Sequence, residues 1–359
     1  MKQILKVFFR IVAIANILAI LLLLFVGFAG KINPATHPTI SNLNALFPIV
    51  LIVNLGFLLF WIIFKFRKVW LPLLGLILCY QPVRTYFPLN VPHELPDSCV
   101  KVVSYNVAMF GGLNGKLDPN PIVDYLLDQN ADIICLQEGG DNYEGRVGYR
   151  MKDAYPYHDT AGIRCNEDVL VLYSRYPIIH KERIPYPSAG NHSSAFTIDM
   201  DGEEVIIIGN HFETTDIGNE DKANFKRIVK GELKGDSAKL ETHTLFEKLK
   251  LSSTIRGPQA DAVAQYIRKH AYQSILCMGD FNDGPLSYSH QTIAKELNDC
   301  YRMAGNGAGF SFNYDKILVR IDHFFCSDDW QPIRCKVDRK MKLSDHYPVI
   351  CYLKKRSSK

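Results

Sequence analysis

The sequence predicts an α+β sandwich preceded by an all-helical membrane segment. Long apolar runs fill about the first 90 residues, whereas most acidic residues come later. The remainder of the chain holds many short apolar runs, rich in Val and Ile and bounded by Gly, Asn or Asp, as is typical of β-strands. Helical patterns occur between only some of these runs, which favours a sandwich of mixed strands over a regular βαβ array.

The overall composition excludes two classes of protein. The chain has 359 residues, 47% of them hydrophobic and 22% charged, so it is neither disordered nor of low complexity. Its 41 Lys and Arg residues nearly balance its 37 Asp and Glu residues, for a formal net charge of +4. A polycationic nucleic-acid binder would carry a much larger positive excess.

Two segments are long and apolar enough to cross a bilayer. Residues 4–29 carry no charge from Ile11 onward, and residues 43–64 carry none at all. A transmembrane helix needs about 20 mostly apolar residues, whereas the apolar core of a cleavable signal peptide has about 7–15. We therefore expect two retained spans in a membrane anchor over residues 1–90.

A third, weaker span is predicted over residues 69–89. This segment contains Pro72, Gln81, Pro82 and Arg84, so a kinked span and an amphipathic helix on the membrane surface both fit it. The side of the membrane reached by the rest of the chain depends on this segment.

The basic residues around the spans predict an orientation. Lys2, Lys6 and Arg10 precede the first span, and Lys65, Arg67 and Lys68 follow the second, whereas Lys31 alone lies between them. Because short cytoplasmic flanks are enriched in Lys and Arg, we expect the N-terminus and the basic turn to be cytoplasmic. Three spans then place the following domain outside the cytoplasm, and two spans place it inside.

A Pro-rich linker, residues 91–98, separates the anchor from a catalytic domain predicted over residues 99–355. Asn120 followed by Pro121 predicts the start of one helix, and Pro258 predicts the start of another. Residues 216–256 are mostly polar with helically spaced Leu, Lys and Glu, which predicts a helical insert. Either this insert covers the face of the domain that binds substrate, or it is a solvent-exposed surface segment.

Several predicted strands carry a carboxylate, amide or imidazole at or near one end. These residues are Asn106, Glu138, His211, Asp280, Asn282, Asp322, Asp345 and His346. A sheet can bring such strand ends together. Mg²⁺ prefers oxygen ligands and commonly takes one or two carboxylates plus substrate phosphate. Hydrolysis of a phosphoester also needs an activated water and groups that offset charge.

This ordered set of motifs resembles the endonuclease/exonuclease/phosphatase superfamily. The motifs are SYNV, LQE, SRYPI, GNHF, GDFND, RIDHF and SDHYPV, and the resemblance covers about residues 99–353. It implies a four-layered α/β sandwich, with two packed mixed sheets flanked by helices, and a divalent-metal phosphoesterase.

The resemblance also implies roles for individual residues. Glu138 matches the principal metal ligand, Asp345 an acid close to the metal, and Asn106 an amide beside metal and phosphate. Asp280 and Asn282 match the pair that activates the water and contacts the phosphate. Asp322 matches the partner of His346, a histidine that acts as general base or binds phosphate. His211 matches a catalytic histidine of the deoxyribonuclease and sphingomyelinase branches.

We therefore expect a membrane-anchored phosphoester hydrolase that uses Mg²⁺, with Mn²⁺ as an alternative. Its substrate is a nucleic acid or the headgroup of a phospholipid or sphingolipid, and its anchor contacts the lipid bilayer. The sequence indicates no protein partner. A catalytically silent membrane receptor or scaffold is the alternative, although none of the motif residues has been lost.

Overall fold

The computed structural model describes residues 2–96, 98–111, 119–140, 146–162, 168–188, 190–314 and 317–356. The helices are α1 Lys2–Phe28, α2 Pro38–Asn42, α3 Phe47–Phe64, α4 Trp70–Leu78, α5 Tyr80–Tyr86, the left-handed turn α6 Ala108–Gly111, α7 Pro121–Gln129, α8 Arg146–Ala154, α9 Asn219–Val229, α10 Gly235–Lys269, α11 Tyr288–Ile293 and α12 Cys300–Ala304. The strands are β1 Val100–Asn106, β2 Ile133–Gln137, β3 Tyr157–Ala161, β4 Leu170–Ser174, β5 Ile178–Ile184, β6 Ser193–Met200, β7 Glu203–His211, β8 Ser274–Asp280, β9 Asn298–Asp299, β10 Phe312–Tyr314, β11 Ile317–Val319, β12 Asp322–Cys326, β13 Trp330–Val337 and β14 Val349–Lys355.

Two six-stranded mixed sheets form the predicted catalytic domain. The first has the strand order β13-β14-β1-β2-β4-β3, and the second has the order β5-β6-β7-β8-β12-β9. In each sheet one central pair is parallel, β1 with β2 and β7 with β8. Strands β10 and β11 pair antiparallel in a separate two-stranded sheet.

The two sheets and their helices make four layers. Buried apolar side chains such as Val102, Ile207 and Phe324 fill the space between the sheets. Helices α7 and α8 cover the outer face of the first sheet, and α10 and α11 cover that of the second. The predicted sandwich is therefore confirmed. Because both faces of each sheet are covered, the central strands are continuous apolar runs rather than alternating ones.

One predicted helix start is wrong. The helix expected to begin at Pro258 begins at Gly235 and continues through this proline. The turn before Pro258 is held by tertiary contacts, since Ser253 accepts a hydrogen bond from Asn42 (2.7 Å) and the Arg256 side chain is buried. These contacts outweigh the tendency of proline to end a helix.

The N-terminal helical segment, residues 2–86, contains two helices long and apolar enough to cross a membrane. They extend over Gln3–Lys31 and Pro38–Phe64. The region of the third predicted span forms the two shorter helices α4 and α5. Together these run beside α1, because a Cβ on Gly75 would contact Ile20 and one on Gly27 would contact Pro82.

Buried amides join α1 and α3. Asn16 accepts a hydrogen bond from the indole of Trp61 (2.9 Å), and Asn54 donates one to the Ala19 carbonyl (3.1 Å). All three polar side chains are fully buried. Interhelical hydrogen bonds of this kind fix how two apolar helices face each other.

The N-terminal helical segment packs directly on the catalytic domain. Leu286 of the domain belongs to the same apolar cluster as Leu23 and Phe47 of the segment. Asn33 donates a hydrogen bond to Tyr288 (3.2 Å), and Asn90, beyond α5, donates one to the Gly305 carbonyl (2.6 Å). The two parts therefore share an interface close to the ends of β8 and β12.

Candidate active site

The functional side chains meet where four strand ends converge between the two sheets. The register pairs His211 with Asp280 across β7 and β8, and Asp280 with Asp322 across β8 and β12. In the other sheet Asn106 at the end of β1 pairs with Gln137, so Glu138 follows beside it. The topology thus brings together residues that lie far apart in the sequence.

His211 is held in place by Asp168, which lies two residues before β4. The Nδ1 of His211 lies 2.8 Å from Oδ2 of Asp168, and both side chains are buried. Burial by itself lowers the pKa of His211, but the carboxylates of Asp168, Asp280 and Glu138 raise it to about 10. This imidazole therefore carries a proton at neutral pH and points its Nε2 toward Glu138 (3.9 Å) and Asp280 (3.7 Å).

A second imidazole–carboxylate pair lies on the other side of Asp280. The Nδ1 of His346 bonds to Oδ2 of Asp322 at 2.9 Å, and its Nε2 lies 3.5 Å from Oδ2 of Asp280. Burial lowers the pKa of His346, whereas the two neighbouring carboxylates raise it to about 10. The pairing of Asp322 with His346 expected from the sequence is thus present.

Asp280 occupies the centre of the cluster. Burial raises its pKa to about 6, against the opposing influence of the two imidazoles. Its Oδ1 accepts the backbone N–H of Asn282 (2.8 Å), and its Oδ2 accepts the Asn106 amide (3.2 Å). Asn282 adopts a left-handed backbone with φ of +49°, which turns the chain so that its N–H reaches Asp280.

Glu138 faces the opening of the site. Its side chain is 34% exposed, and its Oε1 accepts a hydrogen bond from the Asn106 amide (2.9 Å). Like Asn282, it has a left-handed backbone, with φ of +54°, and its N–H donates to Asp168 Oδ1 (2.8 Å). Asp345 lines the same cavity.

The charges of this cluster fit a bound cation. Five carboxylates converge here, from Glu138, Asp168, Asp280, Asp322 and Asp345, against the imidazoles of His211 and His346. Furthermore, Oδ1 of Asp322 is buried without a hydrogen-bond partner. Uncompensated buried negative charge is unfavourable unless a cation or a proton offsets it.

Two positions for that cation can be compared. Ligand atoms of Asp280, Asp322 and His346 lie within 4.8 Å of one another. In this group Nδ1 of His346 is bonded to Asp322 (2.9 Å), and its Nε2 lies 3.5 Å from Asp280. Glu138, which is more accessible, suits a hydrated cation better. The amide oxygen of Asn106 accepts the N–H of Ala108 (3.0 Å), so its role as a ligand stays a prediction.

All eight residues singled out from the sequence lie around this site. Asp168 is the member that the sequence motifs did not reveal. Its only local signal is an acidic residue directly before an apolar run, which is common near strand ends. The structure shows that it supports both Glu138 and His211.

Comparison with protein families identifies the fold. A model of the endonuclease/exonuclease/phosphatase family matches residues 103–346. The chain belongs to this family. The N-terminal helical segment matches a different model, a domain of unknown function named DUF8431, over residues 9–86. A search of curated proteins finds no match.

Solved structures share the family fold. An endonuclease/exonuclease/phosphatase from Beutenbergia cavernae is 16% identical, with a TM-score of 0.53 and coverage of 72% of each chain. Sphingomyelinase C from Streptomyces griseocarneus is 15% identical, with a TM-score of 0.50 over 71% of this chain and 99% of that one. TDP2 from D. rerio, complexed with a single-strand DNA product, is 16% identical, with a TM-score of 0.50 over 72% and 99%.

Proposed function

We propose that the protein is a membrane-anchored phosphoester hydrolase that depends on a divalent metal ion. One observation carries the proposal: the Asp168–His211 and Asp322–His346 pairs flank Asp280 in one cavity that also contains Glu138. Two oriented imidazoles, a central base and a metal-binding carboxylate are the groups that phosphoester hydrolysis requires.

Asp280 is the group that accepts a proton from the attacking water. Its Oδ1 is fixed by Asn282, and its Oδ2 faces both imidazoles. The imidazolium of His346 stabilises negative charge on the phosphate and donates a proton to the leaving oxygen. Since Nε2 of His346 lies 3.5 Å from Asp280, the proton taken from water can return to the imidazole after each turnover.

The residues proposed to hold Mg²⁺ or Mn²⁺ are Glu138, Asp345 and Asn106. The residues proposed to contact the phosphate are Asn106 and Asn282. A bound divalent ion would offset charge on the phosphate and lower the pKa of a bound water. His211 keeps Glu138 and Asp280 oriented from the opposite side.

The helices α1 and α3 support a membrane location. At one end of the segment, Lys65 lies over the Phe9 ring (4.8 Å) and Lys68 donates to the Phe9 carbonyl (3.5 Å). The catalytic domain lies at the other end, where Leu286 packs on Leu23. Because basic flanks favour the cytoplasm, we infer that the N-terminus is cytoplasmic and the catalytic domain extracytoplasmic.

The test uses the full-length protein in lipid nanodiscs. Three kinds of substrate are offered: the water-soluble diester bis(p-nitrophenyl) phosphate, a supercoiled plasmid, and the phospholipids and sphingomyelin of the disc. Asp280→Asn should reduce turnover by about 10²–10³-fold, since it removes the proton acceptor while keeping the side-chain shape. Asp236→Asn is the matched control, because this side chain is 99% exposed. The absence of any turnover that depends on Asp280, on all of these substrates, would instead favour a catalytically silent receptor or scaffold.

Metal dependence is tested separately. Chelation should abolish hydrolysis, and Mg²⁺ or Mn²⁺ should restore it. Glu138→Gln should weaken Mn²⁺ binding by about tenfold or more, measured by calorimetric titration without substrate. Glu204→Gln, an exposed change on β7, should leave binding unaltered. Identical Mn²⁺ affinities for Glu138→Gln and the wild type would contradict the role given to Glu138.

A further inference from the structure

The cavity that contains the catalytic cluster is walled partly by the N-terminal helical segment. Its volume is about 560 Å³, and Glu138, Asp280 and His346 lie at its polar side. The opposite wall comes from the turn between α2 and α3 and from the end of α5, through Asn42, Asn44, Ala45, Pro48 and Tyr86. The proposed membrane anchor is thus a structural part of the site.

Part of the remaining lining is apolar. It includes Leu249 on α10, Leu286 and the successive residues Ile317, Leu318 and Val319 of β11. Leu318 and Val319 are 42% and 38% exposed, which is unusual for adjacent apolar residues at the mouth of a polar site. An exposed apolar strip beside a cavity is typical of a surface that meets an apolar ligand or a membrane.

The apolar lining continues onto the outer surface of the proposed anchor. Pro48 lines the cavity at the first turn of α3, and its neighbours Leu46 and Ile49 are 43% and 60% exposed. From there α3 presents apolar residues along its exposed surface, including Ile52 and Ile63. An apolar path therefore leads from the catalytic cluster to the surface that would face lipid.

We propose that the substrate is a phosphoester lipid resident in the membrane, which enters sideways between the start of α3 and strand β11. This inference rests on the proposed function. The phosphate lies at the Asp280–His346 cluster, and the hydrocarbon begins on β11 and continues along α3. Hydrolysis follows the step described above: a water oxygen bonds to phosphorus, the ester P–O bond breaks, and the leaving oxygen takes a proton.

The size and the charge of the cavity favour this substrate over a nucleic acid. About 560 Å³ lies within the range of pockets that hold one small molecule, enough for a headgroup and the first part of a chain. Binding of single-stranded nucleic acid uses a basic groove with stacking aromatic residues. The arginines among the described lining residues are Arg256 and Arg320, and both are buried and engaged, with Asp283 and with the Thr85 carbonyl.

The first experiment narrows the lateral opening. Ala45→Trp adds a bulky side chain to the exposed anchor wall, and Ala15→Trp makes the same change on the exposed surface of α1, away from the cavity. In nanodiscs of phosphatidylcholine, phosphatidylethanolamine, phosphatidylglycerol and sphingomyelin, the ratio of lipid to bis(p-nitrophenyl) phosphate hydrolysis should fall roughly tenfold in Ala45→Trp but not in Ala15→Trp. Leu318→Asp should lower the same ratio, with the exposed Leu240→Asp as its control.

The second experiment detects binding without turnover. A phosphatidylcholine analogue with a photoreactive diazirine near its glycerol end should crosslink to residues 45–48 and 317–319 of Asp280→Asn, and Ala45→Trp should reduce this crosslinking. Failure to crosslink there overturns the inference. The inference is also overturned if plasmid or soluble diester is hydrolysed in a manner that depends on Asp280, while Ala45→Trp leaves the ratio of lipid to diester hydrolysis unchanged. Crosslinking without hydrolysis of any substrate supports the lipid site and contradicts the proposed function instead.

Discussion

At the residue scale, Asp168 supports two groups with one carboxylate. Its Oδ1 accepts the N–H of Glu138, and its Oδ2 bonds to Nδ1 of His211, both at 2.8 Å. Asp168→Asn keeps the shape but removes the charge that orients the imidazole. We expect kcat for the soluble diester to fall by about 10²–10⁴-fold with little change in KM, by analogy with other carboxylate–histidine pairs.

The matched control for Asp168 is Asp159→Asn on β3. The Asp159 side chain is 36% exposed and pairs with Lys181 at 2.7 Å on the surface. Its kcat should stay close to that of the wild type, because surface pairs contribute little. If both variants kept full kcat, the orienting role of Asp168 would be wrong.

Asp299 provides a pH test away from the active site. Burial alone would raise its pKa, but the hydrogen bond from His290 (3.1 Å) holds that pKa well below its usual value. A depressed carboxyl pKa stabilises the fold above the unfolded pKa of about 3.9 and loses this contribution as the pH falls. Asp299→Asn should therefore lower the free energy of unfolding at pH 7 by about 2–4 kcal/mol.

Denaturant unfolding of the detergent-solubilised protein measures this difference at several pH values. The gap between Asp299→Asn and the wild type should narrow below about pH 4, where the wild-type carboxylate begins to lose its advantage. Asn still accepts the N–H of Arg302, so the cap of α12 is preserved. A gap independent of pH would show that the charge of Asp299 contributes nothing.

The sequence reveals the site residues that end apolar strands, because strand ends of one sheet meet at its edge. Asn106, His211 and Asp280 follow this rule. Asp168 precedes its strand, and it reaches Glu138 only because the antiparallel register pairs Leu136 with Val171. Such pairing between distant segments leaves no mark in the local sequence.

At the element scale, Gly30 lets α1 end against the catalytic domain. A Cβ at this position would overlap the carbonyl oxygen of Leu286, which is backbone and cannot turn away. Gly30→Ala should therefore separate the two elements and lower the free energy of unfolding by about 1–3 kcal/mol. Thermal unfolding and limited proteolysis in nanodiscs would detect the loss.

Gly56 in α3 is the control for Gly30. Nothing lies within 4 Å of a Cβ placed there. Because alanine favours helix more than glycine, Gly56→Ala should be neutral or stabilising by up to about 1 kcal/mol. Equal destabilisation by both changes would mean that the effect at Gly30 does not come from Leu286.

Elements buried on both faces were predictable, whereas edge elements were not. Strands β1, β2, β7 and β8 form continuous apolar runs, and the sequence shows all four. Strand β5 lies at a sheet edge with the sequence IIHKERI and is mostly exposed, so its polar residues hide the strand pattern. Strand β13 lies at the edge of the other sheet, and its pairing register with β14 shifts between Pro332 and Arg334. The proline and this irregularity hide the strand pattern in the sequence.

At the scale of the whole molecule, the arrangement makes the topology testable. The ends of α1 and α3 marked by Phe9 and Lys68 lie opposite the catalytic domain. In a bacterial host, alkaline phosphatase fused after Lys359 should be active, since it requires an extracytoplasmic location. The same enzyme fused after Arg67 should be inactive. Inactivity of both fusions would place the catalytic domain in the cytoplasm and mean that α4 and α5 do not cross.

The contact between the two parts of the chain could not be predicted from the sequence. Asn42 and Ser253 are joined by a hydrogen bond across 211 positions, and neither lies in a recognisable motif. The apolar composition of α3 predicts a membrane span but not the position of its first turn in the cavity wall. The wall of the cavity therefore arises from packing between two parts that the sequence suggests are separate.

The position of Pro48 and Asn44 in the cavity wall has a practical consequence for enzymology. Cutting the chain in the linker to obtain a soluble enzyme would remove that wall and expose Leu286 to water. The remaining fragment would have a more open cleft, and the proposed lipid site predicts that this cleft would accept polymers that the intact protein does not. Substrate screens performed on such a truncation would therefore report the preferences of a different pocket.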